Sequence, residues 1–182
     1  MNTYIVFLRG INVSGKNIIK MADLRQALIS SGYQNVKTYI QSGNLIFSSI
    51  KKETDIKDHL HSLLKNQFNA VSEIFIYTIN LIKNIVGTND FLKIINVDYK
   101  RIMVTFLLSK ADQSQIEELR KVNYDNEAIH IYDYFIIGYF PKGYGKAKLN
   151  NNYIEKQLKT KATTRNWNTI LKMIELADEV IF

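Results

Sequence analysis

The chain has no cysteine, which excludes disulfides, thiolate nucleophiles and cysteine-ligated metals together. Histidine is almost as sparse. His59 and His61 stand two apart on a predicted helix and cannot share a face, and His130 is alone, so the pattern offers no metal site. No apolar run approaches the roughly 18 residues of a membrane span. The apolar stretch at residues 4–8 is too short for a signal peptide and has no basic leader. No G-x-S-x-G turn marks a serine nucleophile. These absences predict a cytoplasmic protein with no membrane partner and no metal, and no residue nominates itself as a catalyst. Cofactor and oligomeric state leave no mark in the sequence. The 182 residues, 46% hydrophobic and 23% charged, have the composition of a globular chain long enough to bury a core.

What is present is charge of one sign in one place. Between residues 142 and 172 lie Lys142, Lys146, Lys148, Lys156, Lys159, Lys161, Arg165 and Lys172 against Glu155 alone, a balance equal to the net charge of +7 of the whole chain. The other basic and acidic residues cancel. A field this local favours an anionic partner at one site over general stickiness.

Periodicity predicts an α+β fold. Residues 3–9 read as a buried strand and residues 21–31 as a helix that Gly32 stops. Strands at 36–41 and 45–48 flank Ser42-Gly43-Asn44, a helix spans 54–68, and residues 73–78 alternate as a strand. This β-α-β-β-α-β order is the ferredoxin-like pattern. Residues 81–95 form a connecting helix with a break near Gly87. The pattern then returns as a strand at 101–108, a helix at 112–121 capped by Asp112, and strands at 128–132 and 135–140. Past Pro141, the only proline, two helices close the chain at 149–158 and 164–177. The expectation is two ferredoxin-like halves with mostly antiparallel sheets, residues 1–80 and 96–182, joined by residues 81–95 and packed as one unit. The second half is read as β-α-β-β-α-α.

Two segments are candidate sites. The first, from Arg9 through Gly10, Asn12, Ser14, Gly15, Lys16 and Asn17, nearly spells the phosphate-binding loop G-x-x-x-x-G-K-[ST]. Asn17 stands where a hydroxyl would hold magnesium, and Ile11 and Val13 crowd the cradle, so a nucleotide hydrolase is disfavoured. A looser anion-binding loop is the reading kept. In a ferredoxin-like sheet the turn carrying Gln41, Ser42 and Asn44 emerges at the same end, so the two segments converge. The second candidate runs from Lys142 to Thr169. Thr163 or Thr164 is expected to cap the last helix, with Arg165, Asn166, Asn168 and Thr169 in its polar first turn and Lys146 and Lys148 upstream. Trp167 is read as core. Lys142-Gly143-Tyr144-Gly145 opens like an RNA-recognition motif, but Lys146-Ala147-Lys148 replaces its stacking aromatics, so that module is rejected. Tyr132, Tyr134, Tyr139, Phe140 and Tyr144 are read as packing residues that can still offer stacking faces.

Three motifs in order carry a family resemblance. They are residues 7–17 (FLRGINVSGKN), 38–44 (TYIQSGN) and 162–169 (ATTRNWNT), supported by 20–25 (KMADLR) and 145–150 (GKAKLN). Together they resemble the bacterial family known as domain of unknown function 1697, in which serine usually stands at the position of Ala147. The resemblance implies a small bacterial protein with ferredoxin-like halves and brings no activity, substrate or catalytic residue. The functional expectation is an anion-binding protein, with nucleic acid or a phosphorylated small molecule as ligand. The alternatives are an enzyme on a phosphorylated substrate and a protein-interaction adaptor without catalysis.

Overall fold

The computed structural model describes residues 1–13, 15–93, 97–122 and 126–179. The chain divides into two compact units, Met1–Val86 with the chain from Lys172 onward, and Gly87–Leu171.

In the first unit β1 (Asn2–Leu8) is the central strand, antiparallel to β3 (Asn44–Ser49) on one edge and β4 (Ile74–Thr78) on the other. β2 (Gln34–Tyr39) pairs antiparallel with β3, giving the sheet order β2-β3-β1-β4. Helices α1 (Met21–Ser30) and α2 (Glu53–Phe68) cross between strands. Met21, Leu24 and Leu28 of α1, and Ile56, Leu60, Leu63 and Leu64 of α2, recur at helical spacing. They pack on Tyr4, Val6, Leu8, Leu45 and Phe47. The alternate residues Ile5, Phe7, Ile46 and Phe75 are also fully buried. Both faces of β1 are therefore core, which is why its sequence is a continuous apolar run and not an alternation.

Helix α3 (Ile79–Gly87) follows, and a 3-10 turn, Asp90–Lys93, comes after the break at Gly87. Residues 94 and 95, the end of the expected connecting helix, lie outside the described residues. The second unit repeats the topology. β5 (Ile102–Leu107) is central and α4 (Gln113–Lys121) starts at Asp112, whose carboxylate accepts from the Ser114 N–H. The strand pair is β6 (Ala128–Ile131) with β7 (Phe135–Tyr139), and α5 (Asn151–Leu158) leads to β8 (Ala162–Asn166). The order is β6-β7-β5-β8, again antiparallel throughout. Two ferredoxin-like sheets are thus present.

One segment departs from the sequence reading. Residues 162–166, expected as the approach and first turn of the last helix, form edge strand β8 and complete the second β-α-β-β-α-β unit. Helix α6 (Trp167–Asp178) begins after them. Its buried stripe is Trp167, Ile170, Met173 and Ala177, while Leu171 is 40% exposed. The antiparallel sheet also removes the nucleotide-hydrolase reading of the first loop, since β1 has no parallel neighbour.

The turn from β2 to β3 depends on Gly43. Its φ of +74° is left-handed, and a Cβ there would stand 2.8 Å from the Leu8 Cβ. Its carbonyl accepts the Leu8 N–H at 2.7 Å. Gly43→Ala is expected to lower unfolding free energy by about 2–3 kcal/mol through strain and the clash. Urea denaturation measures this; an unchanged midpoint refutes the close approach.

Candidate functional site

The loop after β1 is organised by two asparagine side chains. Asn12 takes a positive φ of 56° and Asn17 one of 47°, a region asparagine tolerates better than most residues. The Asn12 amide Nδ2 donates to Ile19 O at 2.9 Å and to Gln41 O at 2.8 Å, while its Oδ1 accepts the Ile19 N–H at 2.7 Å. The Asn17 amide donates to Gly10 O at 3.1 Å and Val71 O at 3.0 Å, and its Oδ1 accepts the Val71 N–H at 3.3 Å. Ser72 Oγ donates to Arg9 O at 2.9 Å. Three chain segments, residues 9–20 apart from 14, 40–44 and 69–73, are stitched into one tip at the end of the first sheet. The convergence expected from topology is therefore present in the first unit.

The polar residues at this tip divide by role. Asn12 and Asn17 spend their amides on backbone. Asn44 is fully buried and donates to Tyr39 O and Ser42 Oγ. Arg9 and Ser42 are half-buried, whereas Lys16, Lys20 and Gln41 are exposed. Ser14 lies outside the described residues.

In the second unit the segment from Tyr144 to Asn166 is bound by hydroxyls and acids. Thr164 Oγ1 donates to Asn151 Oδ1 at 2.6 Å, and it stands 2.7 Å from Thr105 Oγ1 and 2.9 Å from the Tyr144 hydroxyl. With the Thr164 proton committed to Asn151, Thr105 donates to Thr164. Burial pushes the Tyr144 hydroxyl pKa up. Glu127 accepts the Lys148 and Leu149 N–H groups at 3.0 and 3.2 Å, and Glu155 accepts the Ala162 N–H at 2.8 Å. The Arg165 guanidinium donates to Thr163 Oγ1 at 2.8 Å and Thr164 O at 3.0 Å. Burial pushes its pKa down to about 10, so it stays charged at neutral pH.

These contacts change what Thr164, Arg165 and Asn166 can do. They were expected around a helix N-terminus, with a threonine as cap. Thr163, Thr164 and Arg165 are strand residues, and the cap of α6 is Asn166, whose Oδ1 accepts the Thr169 N–H at 2.8 Å. Lys146 and Lys148 are exposed on the β7–α5 connection. The aromatics near them mostly pack: Phe140 meets Tyr144 edge-on at 5.1 Å and Tyr132 stacks on Phe135 at 4.4 Å. Tyr134 is 45% exposed. Among the described residues no three side chains are grouped to hold a metal. Nor is any helix long and apolar enough to cross a membrane.

A family described as protein of unknown function (DUF1697) matches residues 1–136. The chain belongs to this family. Its fold is similar to that of a conserved bacterial protein from Streptococcus pneumoniae, with a TM-score of 0.76 and 23% identity over 97% of this chain and 98% of that one. No curated protein matches the sequence. The DUF1697 match covers the first sheet and its loops completely and ends inside β7.

Sequence reasoning passed over Thr105, Glu127, Asn151 and Glu155. Their partners lie 7 to 59 positions away, so neither spacing nor motif marks them. Asn12→Ala is expected to cost about 2–3 kcal/mol by orphaning the Ile19 N–H and releasing the Gln41 segment. Hydrogen exchange checks the location of the effect. Faster exchange of Ile19 with an unchanged α5 is expected, and an unaltered Ile19 rate counts against the stitching role.

Proposed function

We propose that the protein binds a polyanion, with nucleic acid as the best fit, along the lysine-rich part of the second unit. The supporting observation is a set of uncompensated charges. The ion pairs Lys37–Glu179, Lys83–Asp178, Lys93–Asp90, Arg101–Asp98, Lys110–Asp133, Lys121–Glu118 and Lys172–Glu175 all use cations outside residues 142–161. Lys142, Lys146, Lys156 and Lys161 are exposed, and among the described residues none of them pairs with a carboxylate. Glu155, the sole acid of the stretch, accepts a backbone N–H. Lys172 belongs to the sequence run but is held by Glu175.

The spacing favours a polymer over a small phosphate. Lys142 and Lys146 precede α5, Lys156 lies on it, and Lys159 and Lys161 follow it. A helix of eight residues spans about 12 Å, so we read the charges before and after it as a row and not as a cluster at one point. A nucleic acid strand carries a phosphate at each ~3.4 Å of rise and can meet such a row. A single phosphate group cannot engage both ends. Lys148 extends the row, while Arg165, tied to Thr163 and Thr164, is better suited to holding β8 than to a ligand.

Fluorescence anisotropy with labelled 20-nucleotide single-stranded and duplex probes at low salt tests this reading. Affinity should fall linearly with the logarithm of salt concentration. Each of Lys142→Ala, Lys146→Ala, Lys156→Ala and Lys161→Ala should reduce the slope by about one. The four substitutions together should leave the fold intact, because all four side chains are exposed. Absence of binding by either probe, or slopes that ignore the substitutions, defeats the proposal.

A further inference from the structure

We infer that the stitched tip of the first unit is a docking surface for an acid-flanked apolar helix of a partner protein. Val13, Ile18, Ile40 and Val71 are exposed by 56%, 72%, 52% and 76%. They sit on the three segments that Asn12 and Asn17 bind together. Side chains this exposed protrude; they do not line a pocket. The inference concerns the first unit and is independent of the lysine row of the second.

Ile40 carries the argument furthest. Its φ is +49°, a left-handed backbone that is a genuine outlier for a β-branched residue. Asparagine or glycine fits that conformation with less strain, and neither supplies an apolar projection. The strained residue is also half-exposed, so core packing does not account for it. Strain of this kind persists where the surroundings over-determine it, and it clusters at functional surfaces.

Charge selects the partner. Residues 9–20, 40–44 and 69–73 carry Arg9, Lys16 and Lys20 against one carboxylate, Glu73, and Lys16 and Lys20 are exposed and have no carboxylate partner among the described residues. A second copy meeting the same patch would set lysine against lysine, which disfavours self-association. A bilayer is disfavoured by two features. The tip has none of the Trp or Tyr typical of membrane interfaces. Its projections are also held in fixed positions by six asparagine hydrogen bonds. A fluid surface does not reward preorganised geometry, whereas a shaped protein surface does. A helix with a leucine stripe between rows of glutamate offers apolar sites for the aliphatics and carboxylates for the lysines.

The test uses a synthetic helical peptide of leucine and glutamate, and a matched peptide with lysine for glutamate, titrated by anisotropy against the full chain. The glutamate peptide should bind at least tenfold more tightly, and Lys16→Glu with Lys20→Glu should abolish that preference. Ile40→Asn should raise the melting temperature by relieving strain and weaken the glutamate peptide at least fivefold. Val71→Ser, at a 76% exposed site, should weaken it similarly without altering melting. Equal affinity for the two peptides, no affinity for either, or wild-type affinity in both Ile40→Asn and Val71→Ser overturns the inference. So does tighter binding to vesicles of phosphatidylglycerol and phosphatidylcholine than to the glutamate peptide.

Discussion

Each sheet hangs on one strand that is satisfied on every side. β1 and β5 are hydrogen bonded along both edges, and their side chains are buried on both faces from Tyr4 to Leu8 and from Val104 to Leu107. Such a strand leaves little freedom of register, because a slip by one residue would exchange two apolar faces with different partners. The side-chain hydrogen-bond networks of both units are anchored on or next to these strands. The tip of the first unit begins one residue after β1 ends. In the second, Thr105 of the central strand anchors the hydroxyl cluster that fixes β8.

Most of this architecture was legible because apolar residues carried it. α1, α2 and α4 could be read from their periodic buried positions, and Asp112 marked its own helix start. β8 was not legible. Its sequence, ATTRN, offers one small apolar residue and no alternation, and it precedes a strongly amphipathic helix. What makes it a strand is external: β5 presents an open edge, and Thr105, Tyr144 and Asn151 surround and hydrogen-bond the Thr164 hydroxyl. Tertiary hydrogen bonding overrode local preference. The same blindness moved the helix cap, since Asn166 becomes the cap only once residues 162–166 are extended.

The candidate sites show a second limit. The glycine and lysine spacing after β1 matched a phosphate loop closely, yet the segment is shaped by side-chain amides where a phosphate cradle uses free backbone N–H groups. A motif records which residues stand at which intervals. It does not record that Asn17 reaches Val71, 54 positions away, because nothing between them is periodic. Convergence of the β2–β3 turn with this loop was predictable, since strand direction alone demands it. The contribution of residues 69–73 became visible only with the Asn17 contacts.

Charge and rigidity together separate the two surfaces. Lys142, Lys146, Lys156 and Lys161 are exposed and have no carboxylate partner among the described residues, and the proposed polyanion is a flexible ligand that can adjust to them. Long-range attraction of this kind tolerates imprecise geometry and fades with salt. The tip of the first unit is built on the opposite principle. Its few cations are secondary to aliphatic projections whose positions are set by short hydrogen bonds, and contact between apolar surfaces rewards fit at distances of a few ångströms. An isoleucine in a left-handed turn contributes nothing to the proposed hold on an anion. The four lysines without acids contribute nothing to the proposed shaped contact, so each proposal stands or falls on its own residues.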